Sequence, residues 1–273
     1  MGELIAIVSQ KGGVGKTSTA VNLGACLSAL KKKVLLVGLD PQCGVAKCFG
    51  LEAPEVPFGL LDVIRDGVGV SDAICSAHSR LPRLDVLPAN INSTAEETQY
   101  VNILNREIGA FSRILLPIKA QYDYIFFDCP PRLDNPTAAA LAASDSYLVP
   151  VQCEYASMGT VGRVLRAALE VKRLHNVRLG IFGFLITMAD KRAGFTVKVV
   201  QEVRQYLKDR VFRTIIPRDP RLAEVPNRRE PIIAYDVESP GARAYIQLAR
   251  EILTNMGPRA SKSVKRQGLG TST

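Results

Sequence analysis

The sequence predicts an α/β protein with a single doubly wound, mostly parallel sheet that has helices on both faces. Short apolar, β-branched runs alternate with helical stretches along the chain, and a glycine-rich loop separates the first run from the first helix. The runs are apolar at consecutive positions, which is typical of parallel strands buried on both sides. We expect one domain over residues 1–256 and a basic, disordered tail over 257–273.

Seven strands and six helices follow from these patterns. The predicted strands cover residues 3–9, 33–39, 83–87, 122–128, 146–151, 179–187 and 211–216. The predicted helices cover residues 16–31, 99–119, 135–143, 157–175, 194–209 and 239–256. Gly257 and Pro258 end the last helix, because these two residues disfavour its continuation.

Composition narrows the class of protein. Of 273 residues, 47% are hydrophobic and 22% are charged, as in a globular protein with a sizeable core. No apolar run approaches the roughly 20 residues that span a membrane, and the first predicted strand begins almost at Met1. We therefore expect a cytoplasmic protein without stable membrane association. The six cysteines have no C-x-x-C spacing, so a zinc site is not expected.

The positive charge is concentrated in the last third of the chain. The net charge is +9, and residues 190–230 hold eleven lysines and arginines against six acids. Residues 257–273 hold four more basic residues and no acid. A basic surface of this kind indicates a polyanionic partner.

The loop at residues 10–18 reads Gln-Lys-Gly-Gly-Val-Gly-Lys-Thr-Ser and predicts a site for nucleotide phosphates. Its glycines allow backbone N–H groups to turn toward the phosphates, and the helix that follows presents its positive end. Lys16 is expected to reach the β- and γ-phosphate oxygens, and Thr17 to ligate Mg²⁺. The other residues that we expect to hold the nucleotide are Gly12, Gly13, Val14 and Gly15.

A second lysine makes this loop more specific. The common pattern G-x-x-x-x-G-K-[ST] would place glycine at position 10, where this chain has Gln10. Lys11 stands instead five residues before Lys16, which gives the variant K-G-G-x-G-K-[ST], called the deviant Walker A motif. The pattern indicates one superfamily rather than phosphate-loop proteins in general.

Two carboxylates follow predicted strands and complete the expected magnesium–nucleotide site. Asp40 comes after the run at 33–39, and Asp128 ends the run at 122–128. Ligands bind at this end of parallel strands. Asp128 is expected to hold Mg²⁺ through water, and Asp40 to hold a Mg²⁺-bound water or position the attacking water.

Six segments together resemble the ParA/Soj family of partition ATPases, from residue 3 to about 253. They read K-G-G-V-G-K-T, L-D-P-Q, F-D-C-P-P, V-P-V-Q-C-E-Y, I-I-P-R-D-P-R-L-A-E and S-P-G-A-R-A-Y. The resemblance implies an ATP-bound homodimer that binds double-stranded DNA without sequence preference, on the nucleoid. It also implies release from DNA when a ParB-like or other cargo adaptor stimulates hydrolysis.

The resemblance assigns roles to individual residues. Lys11 would cross to the phosphates of the partner chain, Ser18 would contact the α-phosphate, and Asp40 would organise the hydrolytic water. Glu154 resembles a residue near the nucleotide and the dimer face, and Pro217 resembles one beside the adenine. The residues that resemble DNA-contacting positions of the family are Lys191, Arg192, Arg218 and Arg221.

The chain departs from the family in one switch segment. Where relatives have D-C-P-P-S-L-G, this chain ends the segment with Arg132, Leu133 and Asp134. Two charges thus replace small residues, and the stimulation of hydrolysis is expected to differ.

Two other classes of protein are compatible with the phosphate loop. A MinD-like, membrane-cycling ATPase would need an amphipathic C-terminal helix, but the tail offers only Val264 and Leu269 as large apolar residues. A metabolic enzyme or kinase of the same superfamily would need a second substrate pocket, for which the sequence gives no signal.

Overall fold

The computed structural model describes residues 2–51, 56–154, 157–190 and 193–254. A seven-stranded sheet in the order β3-β4-β2-β5-β1-β6-β7 forms its centre, and β3 alone among these strands runs antiparallel. The strands are β1 (Glu3–Ile7), β2 (Val34–Gly38), β3 (Cys75–Ser76), β4 (Leu84–Leu87), β5 (Tyr124–Asp128), β6 (Ser146–Gln152) and β7 (Gly180–Thr187). The predicted fold class is confirmed.

Helices connect the strands and cover both faces of the sheet. The helices are α1 (Lys16–Ala29), α2 (Gly44–Lys47), α3 (Leu60–Asp66), α4 (Thr94–Arg106), α5 (Ala110–Leu115), α6 (Asn135–Ala143), α7 (Ser157–Leu174), α8 (Thr196–Leu207), α9 (Pro220–Ala223), α10 (Val225–Arg228), α11 (Ile232–Tyr235) and α12 (Pro240–Leu253). Short 3₁₀ helices cover Lys119–Gln121 and Lys208–Arg210. In the part of the chain that the structure describes, no helix is both long and apolar enough to cross a membrane.

The core has two layers because the central strands are buried on both sides. In β1, Leu4 and Ala6 pack into the layer under α3–α8, whereas Ile5 and Ile7 pack into the layer under α1 and α12. Consecutive apolar residues in one strand therefore serve opposite faces of the sheet.

The helix predicted over 99–119 is wrong in its bounds. The structure has two helices there, α4 and α5, with Gly109 immediately before the second. Helix α4 begins earlier because Ser93 Oγ accepts from Glu96 N at 3.2 Å and Glu96 Oε2 accepts from Asn92 N at 2.7 Å. This capping pattern is visible in the sequence as a serine followed three residues later by a glutamate.

The strand predicted over 211–216 does not extend the sheet as a ladder. Isolated bridges pair Val211 with Phe184 and Pro217 with Ala189, and Ile216 N donates to the carbonyl oxygen of Ile186 in β7 at 2.9 Å. Between them, Arg213 N and Thr214 N donate to the carboxylate of Glu251 in α12, at 2.7 and 2.9 Å. A carboxylate from a helix thus takes the hydrogen bonds that a strand partner would otherwise accept.

The other elements that were not predicted are too short to give a clear apolar pattern in the sequence. Strand β3 has two residues, and helices α2, α9, α10 and α11 have four each. The seven-residue helix α3 was also not predicted. The tail expected over 257–273 lies outside the described residues.

Candidate nucleotide-binding site

The phosphate loop joins β1 to α1 and depends on left-handed backbone. Gly13 has φ of 71° and Gly15 has φ of 92°. A side chain at either position would meet no atom within 4 Å, so the backbone conformation and not lack of space requires glycine. Gly15 is the N-cap of α1, where main-chain N–H groups and the helix dipole favour an anion.

Lys16 is the buried cation of this loop. It is only 7% exposed, and its Nζ donates to the carbonyl oxygen of Lys11 at 3.4 Å. Burial lowers the pKa of the Lys16 ammonium, and the negative charges of Asp128 and Asp40 partly oppose this change. An anion of several charges, such as a polyphosphate, would stabilise the charged form of this lysine.

Asp128 is fully buried at the end of β5 and has one unused oxygen. Its Oδ2 accepts from Thr17 Oγ1 at 2.7 Å, whereas Oδ1 has no hydrogen-bond partner among the described residues. Burial raises the pKa of the Asp128 carboxyl to about 7, although the Thr17 hydrogen bond and the Lys16 charge act in the opposite direction.

These groups fit a magnesium ion with a nucleotide. An unpartnered buried carboxylate oxygen is costly unless a cation, a bound water or a proton satisfies it. Mg²⁺ prefers one or two carboxylate or hydroxyl oxygens together with water and phosphate oxygens, and Thr17 and Asp128 supply this set. Thr17 and Asp128 would therefore hold the ion, which would draw charge from the β- and γ-phosphate oxygens.

Asp40 lies at the same edge of the sheet as Asp128. The register of β2 with β5 pairs Gly38 with Asp128, so the two strands end side by side. The Asp40 carboxylate is half-buried and accepts from Gln42 N at 3.0 Å. The predicted grouping of Lys16, Thr17, Asp40 and Asp128 at one edge is therefore seen in the structure.

Lys11 does not point into its own phosphate loop. Its ammonium forms an ion pair with Glu154, which follows β6, and the two side chains are 37% and 32% exposed. Its N–H donates to Ser9 Oγ at 3.4 Å. Within one chain, Lys16 is the lysine of the phosphate loop, and Lys11 lies at its margin.

A cavity of about 420 Å³ opens beside the start of α1. Its volume suits a nucleoside, and its walls combine the loop with the segment after residue 215. The lining includes Gly15, Ser18, Thr187, Met188, Ile216, Pro217, Arg218 and Tyr245. Ser18 and Pro217, both expected at the nucleotide, thus face the same cavity.

Among the lining residues of this cavity that were not predicted, two make hydrogen bonds that hold the loop or α1. Tyr245 of α12 is buried, and its hydroxyl lies 3.2 Å from Thr19 Oγ1 of α1. Thr187, the last residue of β7, donates from Oγ1 to the carbonyl oxygen of Val14 at 2.9 Å and so supports the loop. The S-P-G-A-R-A-Y segment ends in Tyr245 and was the available signal for the first; no sequence pattern marked Thr187.

The residues expected to contact DNA are only partly described. Arg218 and Arg221 are exposed, and Arg218 also lines the cavity. Arg221 pairs with Asp236 at 3.4 Å. Lys191 and Arg192 lie outside the described residues.

The altered switch segment adds a further carboxylate, Asp134, between β5 and α6. Asp134 is the N-cap residue of α6, but its side chain makes no capping hydrogen bond, and its Oδ1 is buried with no partner among the described residues. Arg132 is exposed, and its carbonyl oxygen accepts from Thr137 Oγ1 at 2.6 Å. The segment therefore holds one half-buried acid and one exposed base after β5.

Comparison with known proteins agrees with this geometry. A family model described as an AAA domain matches residues 2–181. The sporulation initiation inhibitor protein Soj of Bacillus subtilis is 43% identical over 93% of this chain and its own full length. The chromosome partitioning protein ParA of Myxococcus xanthus is 38% identical over 96% of this chain and 92% of that protein.

A solved structure with a similar fold contains the ligands that are expected at this site. Cobyrinic acid a,c-diamide synthase of Mycobacterium smegmatis, with a bound ATP analogue and magnesium, superposes with a TM-score of 0.78 at 28% identity. The match covers 94% of this chain and 96% of that one. The two relatives are more than 30% identical to this chain over nearly its full length, and the site fits Mg²⁺ and a nucleotide. The chain therefore belongs to the ParA/Soj family of partition ATPases.

Proposed function

We propose that this ATPase forms a sandwich dimer when it binds ATP and Mg²⁺. The dimer binds double-stranded DNA without sequence preference and so associates with the nucleoid in the cytoplasm. A ParB-like or other cargo adaptor then stimulates hydrolysis and releases the chain from DNA. Repetition of this cycle segregates or positions DNA or another cargo.

The position of Lys11 is the observation that carries this proposal. A lysine needed for phosphate binding within one chain would point into its own loop, as Lys16 does. Lys11 instead pairs with Glu154 at a surface that remains about one-third exposed, where a second chain can approach. Supplied to the partner's phosphates, its charge would act like an arginine finger, which is typically worth on the order of 10³–10⁵ in rate.

Exposed arginines beside the nucleotide cavity support DNA binding. Arg218 and Arg221 lie in the basic segment 190–230, and Arg218 also lines the cavity. Contacts from such residues to DNA phosphates give affinity that falls with salt and carries no sequence information. Because Arg218 lines the nucleotide cavity, nucleotide binding and dimer formation could change the position of this DNA-binding surface.

Retention on immobilised DNA tests the cycle. Protein is applied with ATP, with ADP or without nucleotide, each at two salt concentrations, and anionic vesicles replace DNA in a parallel series. We expect retention with ATP alone, weakened by salt. Equal retention in all three states would contradict the switch, and ATP-dependent capture by the vesicles instead would favour a membrane-cycling ATPase.

The Lys11→Ala variant tests the role of the dimer in hydrolysis. We expect hydrolysis to fall by at least tenfold, while binding of ATP to the single chain stays within a few-fold of wild type. A Lys11→Ala protein that hydrolyses ATP at the normal rate would show that Lys11 has no part in the reaction.

A further inference from the structure

Lys11 is restrained at both its side chain and its main chain. Its ammonium pairs with Glu154, and its carbonyl oxygen accepts from Lys16 Nζ at 3.4 Å. Both contacts are made within one chain. To reach a second chain, Lys11 must leave the Glu154 carboxylate.

Glu154 is itself held firmly by main-chain hydrogen bonds. Its N–H donates to the carbonyl oxygen of Gln152 at 2.8 Å, and its own carbonyl oxygen accepts from Ser157 N at 3.2 Å. The preceding residue, Cys153, donates to the carbonyl oxygen of Thr187 at 2.9 Å. Because these bonds fix the main chain of Glu154 at the end of β6, its carboxylate can follow Lys11 only within the reach of its own side chain, and a longer movement of Lys11 breaks the ion pair.

We propose that Glu154 is a positioning residue that holds Lys11 within its own chain and thereby opposes dimerisation. This inference rests on the proposed function, in which Lys11 binds the partner's phosphates. The Glu154 carboxylate and those phosphates compete for one ammonium group. The ion pair therefore raises the dissociation constant of the ATP-bound dimer.

Lys16 connects this restraint to nucleotide binding. When Lys16 Nζ turns from the Lys11 carbonyl oxygen to the phosphates, Lys11 loses this contact and keeps the ion pair with Glu154 and the hydrogen bond from its N–H to Ser9 Oγ. ATP thus removes the contact between Lys16 and Lys11 before a second chain arrives. The ion pair with Glu154 then still opposes the movement of Lys11 to the second chain.

The expected size of the effect follows from exposure and symmetry. An ion pair that is about one-third exposed typically shifts an equilibrium by a factor of about 1.4–5. A symmetric dimer breaks two such pairs, so the factors multiply. We expect the dimer dissociation constant to fall by about 2- to 30-fold when the pair is removed in both chains.

Sedimentation with a non-hydrolysable ATP analogue and Mg²⁺ measures that constant. Glu154→Gln removes the charge, and Glu154→Asp keeps the charge but withdraws it from Lys11 by one methylene. Asp123→Asn is the matched control, because Asp123 pairs with Lys32 at similar exposure before the start of β5, at the other end of the sheet. We expect both Glu154 variants to dimerise more tightly and the Asp123 variant to behave as wild type.

Labelling of Lys11 with an amine-reactive ester measures the pair directly in the nucleotide-free monomer. The Nζ of Lys11 should react several-fold faster in both Glu154 variants, whereas Lys32 should react at an unchanged rate. A purely structural role for Glu154 would not change this reactivity.

The outcomes separate this inference from the function on which it rests. A wild-type chain that stays monomeric with the ATP analogue overturns the proposed function, and the inference with it. A wild-type chain that dimerises, with Glu154→Gln equal or weaker, overturns the inference alone. Tighter dimers for Glu154→Gln but not for Glu154→Asp would also overturn it, since charge near the nucleotide would then matter rather than contact with Lys11.

Discussion

Thr17 Oγ1 donates to Asp128 Oδ2 at 2.7 Å, across 111 positions of the chain. This hydrogen bond joins the first turn of α1 to the end of β5 and fixes the orientation of the carboxylate. It leaves Asp128 Oδ1 buried and without a partner among the described residues. Asp128 therefore has one free oxygen at the position where Mg²⁺ is expected, in the part of the chain that the structure describes.

Asp128 should make the stability of the ligand-free protein depend on pH. Burial raises the pKa of this carboxyl to about 7, so between about pH 4 and 7 the folded chain holds a proton that the unfolded chain has lost. The free energy of unfolding should therefore fall as pH rises through this range. Thermal denaturation from pH 5 to 8.5 measures the effect.

The Asp128→Asn variant should remove this dependence. Above pH 7 we expect it to unfold with about 1–3 kcal/mol more free energy than wild type, because a buried unpartnered charge is gone. Magnesium-dependent hydrolysis should be lost. The exposed Asp72→Asn variant should keep the wild-type pH profile. An unchanged profile in Asp128→Asn would show that another group titrates.

Gly15→Ala should destabilise the loop through backbone strain. Gly15 has φ of 92°, which costs a residue with a side chain about 1–2 kcal/mol, although the space beside it is open. Gly12→Ala is the matched control, because its surroundings are equally open and its φ is not left-handed. Urea denaturation should show a loss for Gly15→Ala and a change within about 0.5 kcal/mol for Gly12→Ala. Equal losses would refute the conformational explanation.

Tyr245→Phe should separate the two roles of this residue. The buried hydroxyl pairs with Thr19 at 3.2 Å, so its loss should lower the free energy of unfolding by about 0.5–1.5 kcal/mol. The ring that lines the cavity remains, and ATP affinity should stay within twofold. Tyr245→Ala removes the ring as well and should cost about 3–5 kcal/mol. A large loss of ATP affinity in Tyr245→Phe would instead indicate a direct contact from the hydroxyl to the nucleotide.

Glu251 should be essential for the segment that replaces the expected strand. Its carboxylate accepts from Arg213 N, Thr214 N and Thr214 Oγ1, and the side chain is buried. Glu251→Ala leaves two main-chain donors without this acceptor and should cost about 2–4 kcal/mol in urea denaturation. Glu251→Gln keeps one acceptor oxygen and should cost clearly less. Because Pro217 lies three residues after Thr214, ATP affinity should fall together with stability. If Glu251→Ala and Glu251→Gln lowered the free energy of unfolding equally, the hydrogen bonds would not be the cause.

Much of the fold and part of the candidate site can be predicted from patterns among neighbouring residues. The alternation of apolar runs with helices, the buried runs and the glycines at 12–15 are all readable because strands, helices and left-handed turns impose short-range patterns. The split between α4 and α5 was also readable, from Ser93 with Glu96 and from Gly109, but that signal was missed. The segment at 211–216 has the composition of a strand, and no local pattern shows that its donors bind Glu251.

The sequence by itself determined a parallel α/β sheet, a phosphate loop with two lysines and two carboxylates after strands. Only the tertiary structure decided which groups meet: Thr17 with Asp128, Thr19 with Tyr245, and Lys11 with Glu154. The physical reason is the distance along the chain over which each kind of signal acts. Backbone preferences and apolar periodicity act over a few neighbouring residues, whereas these pairs join segments more than 100 positions apart that meet only when the sheet is assembled and its faces are covered.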